Sequence, residues 1–90
     1  MSDVVLNPAE QRYELDVDGA LAIAAFEDRG RTRIFTHTKV PPALRGRGIA
    51  SRLIAGALDD ARAAGLRVDP ACPFVERFIA AHPDYQDLVA

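Results

Sequence analysis

Val40-Pro41-Pro42-Ala43-Leu44-Arg45-Gly46-Arg47-Gly48-Ile49-Ala50-Ser51 is the stretch in which the chain changes its period. Before it, residues alternate as they do in strands; after it, apolar residues recur at helical spacing. Pro41 pushes Val40 toward extended geometry, and neither proline can donate a backbone hydrogen bond, so strand pairing stops here. From Ile49 onward Ile49, Leu53, Ile54, Ala57, Leu58 and Ala61 share one helical face. Arg52, Asp59, Asp60 and Arg62 lie mostly off it. Ala63-Ala64-Gly65 ends the helix, with Gly65 as a left-handed cap.

A loop carrying two glycines and two arginines thus joins a strand to a helix. The first four N–H groups of a helix have no internal partner, and the helix dipole makes that end electropositive. An anion with several oxygens fits there. Gly46 and Gly48 remove side chains that would hold a phosphate off the backbone, and Arg45 and Arg47 can add charge-assisted hydrogen bonds. A plain loop, with glycines for turning and arginines for solubility, has the same spacing. The stretch is not a Walker A loop, because no Gly-Lys-Ser/Thr follows. It is not a dinucleotide fingerprint either, since the third glycine is missing and the preceding strands are antiparallel.

Upstream, Val4-Val5-Leu6-Asn7 is a short β-prone start, stopped at Asn7-Pro8. Arg12 to Val17 alternates, with Tyr13, Leu15 and Val17 toward one side. Asp18-Gly19 signals a hairpin. The apolar run Ala20–Phe26 reads as a strand covered on both faces, with a helix as the lesser alternative because of its alanines. Glu27-Asp28-Arg29-Gly30 reads as the next turn, and Arg31 to Val40 as a third long strand. In that strand Ile34, Thr36, Thr38 and Val40 share one face, and Arg33, Phe35, His37 and Lys39 the other. Downstream, Leu66-Arg67-Val68 is a short strand, so a right-handed crossover and a locally parallel pair are expected. After the break at Asp69-Pro70-Ala71-Cys72-Pro73, a helix starts at Pro73 with Phe74, Val75, Phe78 and Ile79 as its apolar face. His82-Pro83 ends it, and Asp84 to Val89 form a tail with one more helical turn. The fold class is α+β: an antiparallel meander followed by helix, short strand and C-terminal helix.

Ninety residues suit one small domain over 1–90. A net charge of −2 gives no basic field for nucleic acid, and Tyr13, Phe26 and Phe35 do not form an evident stacking platform. One cysteine excludes an internal disulfide and suits a reducing compartment. No apolar run reaches the roughly 20 residues that span a bilayer, and Met1-Ser2-Asp3 does not open a secretory leader. A cytoplasmic protein without membrane, nucleic-acid or metal partners is expected. A small sheet with an exposed edge can also pair with a second copy as a homodimer.

The loop residues resemble the pyrophosphate loop of the GNAT N-acetyltransferases. That family's signature is Arg or Gln, two residues, Gly, one residue, then Gly or Ala; Arg45, Gly48 and Ala50 stand at those positions. His37-Thr38-Lys39-Val40-Pro41, Pro70-Ala71-Cys72-Pro73-Phe74 and His82-Pro83-Asp84-Tyr85 are similar to the small stand-alone GNAT-like proteins, which consist of little more than the cofactor-binding core. The resemblance runs from about residue 12 to the C-terminus. It implies acetyl-CoA as co-substrate, its pyrophosphate held by the backbone of Arg45, Gly46, Arg47, Gly48, Ile49, Ala50 and Ser51. The pantetheine arm would pair with the main chain near Thr38 and Val40, in a splay beside Leu66-Arg67-Val68. Asp18-Gly19 joins two strands directly where full-size members carry helices, which implies an acceptor site that is open, small or completed by another chain.

With the thioester in that splay, Cys72 is a candidate nucleophile, with a helix at Pro73 to lower its pKa; the alternative is a small buried apolar residue. His37 is a candidate base, or a histidine hydrogen-bonded on the sheet surface. His82 is expected to cap a helix C-terminus, and Tyr85 to pack its ring, with proton donation to the leaving thiolate as its other reading. Arg29, Arg31 and Arg33 read as a solvated face, with contact to the cofactor's 3′-phosphate or an acidic partner as the alternative. The expected function is acetyl transfer from acetyl-CoA to an amine, by direct attack in preference to a Cys72 intermediate. The alternative is a CoA-binding module without catalysis, acting as sensor or partner subunit. Neither reading names the acceptor.

Overall fold

The computed structural model describes residues 3–90; Met1 and Ser2, on which the reading against a leader partly rests, lie outside the described residues. Strands β1 (Val5–Asn7), β2 (Arg12–Val17), β3 (Ala20–Arg29) and β4 (Thr32–Lys39) form the antiparallel meander. Helix α1 (Ile49–Ala63) carries the chain to β5 (Arg67–Asp69), which pairs parallel to β4, and α2 (Pro73–Ala81) leads into a 3-10 helix, Pro83–Leu88. Among the described residues the sheet order is β1-β2-β3-β4-β5.

The hairpin at Asp18-Gly19 forms as expected. Both residues have positive φ, and the Asp16 carboxylate accepts the Gly19 N–H at 2.9 Å. Helix α1 closes where Gly65 takes φ +73°, with the Leu66 N–H on the Ala61 carbonyl (3.0 Å) and the Gly65 N–H on that of Arg62 (3.0 Å). Its apolar stripe is buried as read, and Leu53, Ile54, Ala57, Leu58 and Ala61 are all fully buried. They meet Tyr13, Leu15, Ala22, Ala24, Phe26 and Phe35 from the sheet and Val75, Phe78 and Ile79 from α2 in one core cluster. Burying each large aliphatic side chain there contributes about 1.5–3 kcal/mol.

Three readings of the strands are corrected. First, Ala20–Phe26 is covered on one face only: Ala22, Ala24 and Phe26 are buried, while Ile23 and Ala25 are half-buried and Leu21 is exposed. Small alanines on both faces gave an apolar run without a second layer to cover it. Second, β3 runs through Glu27, Asp28 and Arg29, and the turn falls at Gly30-Arg31. The polar residues belong to a strand whose partner, β4, reaches out with it. Third, β4 does not alternate throughout. Phe35 opposes Phe26 and His37 opposes Ala25, so Thr36 is an extra residue in a bulge. Past it the faces exchange: Thr38 joins Arg33 and Phe35 on the helix-covered side, and His37 and Lys39 turn to the open side with Ile34.

Arg33 is also not solvated. It is 9% exposed, because its partner across the ladder is Asp28. The guanidinium forks onto both Asp28 carboxylate oxygens (2.8 Å each) and lies 4.0 Å over the Phe26 ring centroid. Its remaining arm donates to the Tyr13 hydroxyl (2.8 Å), which donates in turn to Asp60 on α1 (2.7 Å). Burial and the Asp60 carboxylate push the Tyr13 phenol far up, and the Arg33 fork holds the Asp28 carboxyl below the usual range against its burial.

Candidate functional site

The loop between β4 and α1 is anchored by a residue that the sequence reading passed over. Pro42–Leu44 forms one 3-10 turn, with the Leu44 N–H on the Pro41 carbonyl (2.9 Å) and that of Arg45 on Pro42 (3.3 Å). Leu44 is 2% exposed and Ile49 3%; these two pin the loop's ends into the core. Arg45 to Gly48, between them, stay exposed. Leu44 is the one large apolar residue from Pro41 to Gly48, a pattern that could have been read as an anchor.

Gly46 and Gly48 have φ +79° and +71°, where a Cβ is strained, and an added Cβ at either would meet nothing within 4 Å. Gly48 is the N-cap of α1 with no side-chain cap, and the first turn holds no acidic residue. The first helical bond is Arg52 N–H to the Gly48 carbonyl at 3.1 Å. Among the described residues, the backbone N–H groups from Gly46 through Ser51 donate to no group of the chain. They open on a cleft of about 240 Å³ lined by Val40, Leu44, Arg45, Gly46, Gly48, Ile49, Ala50, Ser51 and Phe74. A polyanion is what such a cleft can hold. A larger cleft, about 340 Å³, lies elsewhere between the N-terminal segment and α1, and there the Arg52 guanidinium is occupied by Asp3 at 3.0 Å.

Phe74 also departs from its expected role. Val75, Phe78 and Ile79 are buried, while Phe74 is half-buried and forms the α2 wall of the cleft. Its place about 100° round the helix from Val75 is the signal that sets it off the core stripe.

Strands β4 and β5 part just past Phe35. Thr32, Arg33 and Ile34 lie opposite Arg67, Val68 and Asp69. Pro70 then has no N–H, the Ala71 N–H turns back to the Asp69 carbonyl (3.0 Å), and the last link is Cys72 N–H to the Phe35 carbonyl at 2.8 Å. The Phe26 N–H bonds to Gln11, away from β4. By the alternation of an antiparallel ladder, Thr38, opposite Ala24, therefore aims its own N–H and carbonyl away from β3 and into the gap. Val40 follows two residues on.

The structure brings Cys72 to this gap. Its thiol is 5% exposed and lies 3.5 Å from the Thr38 hydroxyl. Burial raises the thiol's pKa, but hydrogen bonds outweigh it and set it below the ordinary value: the Thr38 hydroxyl, then the backbone N–H groups of Val75, Phe74 and Thr38. His37 sits elsewhere, exposed on the open face because of the bulge, without a hydrogen-bond partner among the described residues. His82 caps α2 as expected, its Nδ1–H donating to the Phe78 carbonyl (2.7 Å). The Tyr85 ring packs 5.8 Å from Phe78, and its hydroxyl donates to Asp59 of α1 (2.9 Å). No three His, Cys, Asp or Glu side chains converge as metal ligands among the described residues, and no described helix is long and apolar enough to cross a membrane.

Residues 12–88 match the sequence profile of the family described as GCN5-related N-acetyl-transferase. The chain belongs to that family. Over 63 residues the chain is 36% identical to Protein NATD1 of Bos taurus and 32% identical to Protein NATD1 of Xenopus tropicalis. The aligned part is 69% of this chain but 56% and 58% of those proteins, so the chain spans little more than half their length. The fold is also that of a GCN5-like protein from Staphylococcus aureus solved by NMR. The two superpose with a TM-score of 0.74 at 24% identity, over 100% of this chain and 91% of the other.

Proposed function

We propose that this chain is an acetyl-CoA-dependent N-acetyltransferase of minimal size. One observation carries the reading: the run of N–H groups from Gly46 to Ser51 that have no acceptor among the described residues, beside a cleft walled by Val40 and Phe74. These N–H groups and the end of the α1 dipole suit a diphosphate, with Arg45 and Arg47 beside it. From there the pantetheine arm would follow Val40 and Thr38, pairing with the carbonyl and N–H that Thr38 turns away from β3. That arrangement would set the thioester near the Cys72 thiol.

Cys72 and His37 are the proposed catalytic residues. In the covalent route the Cys72 thiolate adds to the thioester carbonyl, and the tetrahedral intermediate collapses with loss of CoA thiolate, which takes up a proton. The acceptor amine then attacks S-acetyl-Cys72, loses a proton and regenerates the thiol. His37, on the open face, would serve an acceptor arriving from that side and take the amine's proton directly or through water. In the direct route the amine attacks acetyl-CoA itself and Cys72 only lines the gap. The lowered thiol pKa favours the covalent route. The free Cys72 thiol also suits a reducing compartment, the cytoplasm.

Calorimetry with acetyl-CoA and intact mass after incubation test the reading together. Binding, one acetyl group on wild type and none on Cys72→Ala are the expected results. Acetylation of added amines at full rate by Cys72→Ala would establish the direct route, and absence of CoA binding at millimolar concentration would sink the assignment. A second reading, a CoA-binding module without turnover, is favoured by His37 having no group that orients it. Binding without acetylation of any amine in a library would establish it.

A further inference from the structure

The sheet has a face that no described helix covers. Helices α1 and α2 both pack on the side of Tyr13, Leu15, Ala22, Ala24, Phe26 and Phe35. Residues directly opposite each other in a ladder share a face, so the other side is read from the register. One row there is Val5, Glu14, Ile23 and Lys39; the next is Asn7, Arg12, Ala25 and His37; Asp16 and Leu21 lie beyond the first. The middle strand thus presents Leu21, Ile23 and Ala25, where a solvated face carries polar residues. The two exposed large hydrophobic residues of the described chain, Val5 (61%) and Leu21 (37%), both belong to this face. In the row through Ile23 an acid on β2 and a base on β4 flank one isoleucine. Asn7 and Arg12 both donate to Oε2 of Glu14 (3.0 and 2.8 Å), and its Oε1 has no partner among the described residues. Lys39 makes no ion pair or side-chain hydrogen bond among them.

A second copy of the chain is the occupant this pattern fits. Two identical faces meet about a two-fold axis that lies between them. With the axis along β3, β2 lies over β4 of the partner, Ile23 meets its own copy, and Glu14 falls over Lys39 of the partner subunit, once on each side. With the axis across the strands, each strand lies over itself, and Lys39 meets only β4, which carries no acid on this face. The sheet's edges offer less. Val89 bridges to Val68 on β5, the Ala90 N–H bonds to the Val68 carbonyl at 3.0 Å, and β1 is 3 residues long. We propose that the chain forms a face-to-face dimer through the open side of its sheet, with the two-fold axis along β3 and reciprocal ion pairs between Glu14 and Lys39. Strands β1 to β4, spaced about 4.8 Å apart and roughly 20 Å long, bury on the order of 1,000 Å² over both copies. That is below the roughly 1,200 Å² of stable complexes, so the dimer dissociates on dilution. It covers His37, and the proton transfer proposed there belongs to the monomer.

Sedimentation velocity from micromolar to millimolar protein tests this, with circular dichroism to show that each variant is folded. Wild type should pass from monomer to dimer across that range. Lys39→Glu sets acid over acid and should weaken the dimer about ten-fold, the size of two exposed ion pairs; Glu14→Lys should do the same. Combining Glu14→Lys with Lys39→Glu restores both pairs with their signs exchanged and should bring dimerisation back. Leu21→Glu, at an exposed position beside the axis, should weaken the dimer without touching those pairs. A wild type that stays monomeric at millimolar concentration would overturn the proposal and leave the face to an unlike partner. A dimer indifferent to Lys39→Glu and Leu21→Glu would place the interface elsewhere and overturn it. Single variants that the double variant does not rescue would overturn the pairing and the axis that sets it.

Discussion

The two ends of α1 are built on opposite plans. The C-terminal half is fully engaged: Asp60 accepts from Tyr13, Asp59 from Tyr85, and Arg62 reaches the Asp87 carboxylate (2.8 and 3.0 Å) and the Asp84 carbonyl. The N-terminal end has a glycine cap, no acidic residue and a row of N–H groups that nothing in the described chain accepts. A conventional polar cap in place of this glycine would add roughly a few tenths of a kcal/mol of stability. It would also occupy the place an anion needs. Hydrogen bonds are completed at one end and hold the helix in the fold; at the other the N–H groups have no acceptor among the described residues.

The strongest way to break this contrast is Gly48→Glu. A carboxylate a few Å from a diphosphate is repelled by about 4 kcal/mol near a protein surface, so CoA affinity should fall by at least about 100-fold. Calorimetry beside circular dichroism checks it; unchanged affinity in a folded variant would place the ligand elsewhere. At the closed end, Arg33→Ala should cost about 3 kcal/mol of stability, seen as a lower midpoint in urea, with CoA affinity of the folded protein unaltered.

Ser51→Glu tests both ends of the trade in one molecule. An acid in the first turn should raise stability by about 0.5 kcal/mol and lower CoA affinity about ten-fold, and any variant that gained both would contradict the opposition. A smaller effect concerns the Cys72 thiol. Its alkylation by iodoacetamide should show a pH midpoint below that of a free cysteine, and Thr38→Val should move the midpoint upward by removing the hydroxyl contact.

The smallest effect is in acid. The Asp28 carboxyl has a folded pKa below its unfolded one, because Arg33 holds the charged form. Its contribution is therefore present above the unfolded value of about 3.9 and lost as pH falls through the folded one. Asp28 is 40% exposed, so solvent screens much of this. Acid unfolding should be less steep in Arg33→Ala than in wild type.

Much of this was legible in the order of residues. The hairpin at Asp18-Gly19, the stripe from Ile49 to Ala61, the cap at Gly65 and the loop from Arg45 to Ser51 depend on φ preferences and on periods of two or 3.6 residues. Those are properties of adjacent residues, so a string of letters displays them. Partners far apart in the chain are not displayed in that way. The bulge at Thr36 leaves no mark in the alternation, yet it sends His37 to the open face and Thr38 into the gap. Arg33 looked like a surface charge until the ladder set Asp28 opposite it. Phe74 reads as core until α2 is set beside the loop. The contact between Cys72 and Thr38 joins residues 34 apart in the chain and exists because Pro70 stops β5 from following β4. The local rules thus wrote out the glycine-rich loop of this GCN5-related chain in advance. The gap that holds Cys72 beside Thr38 arises where two strands separate, and that separation depends on pairing, which only the folded sheet defines.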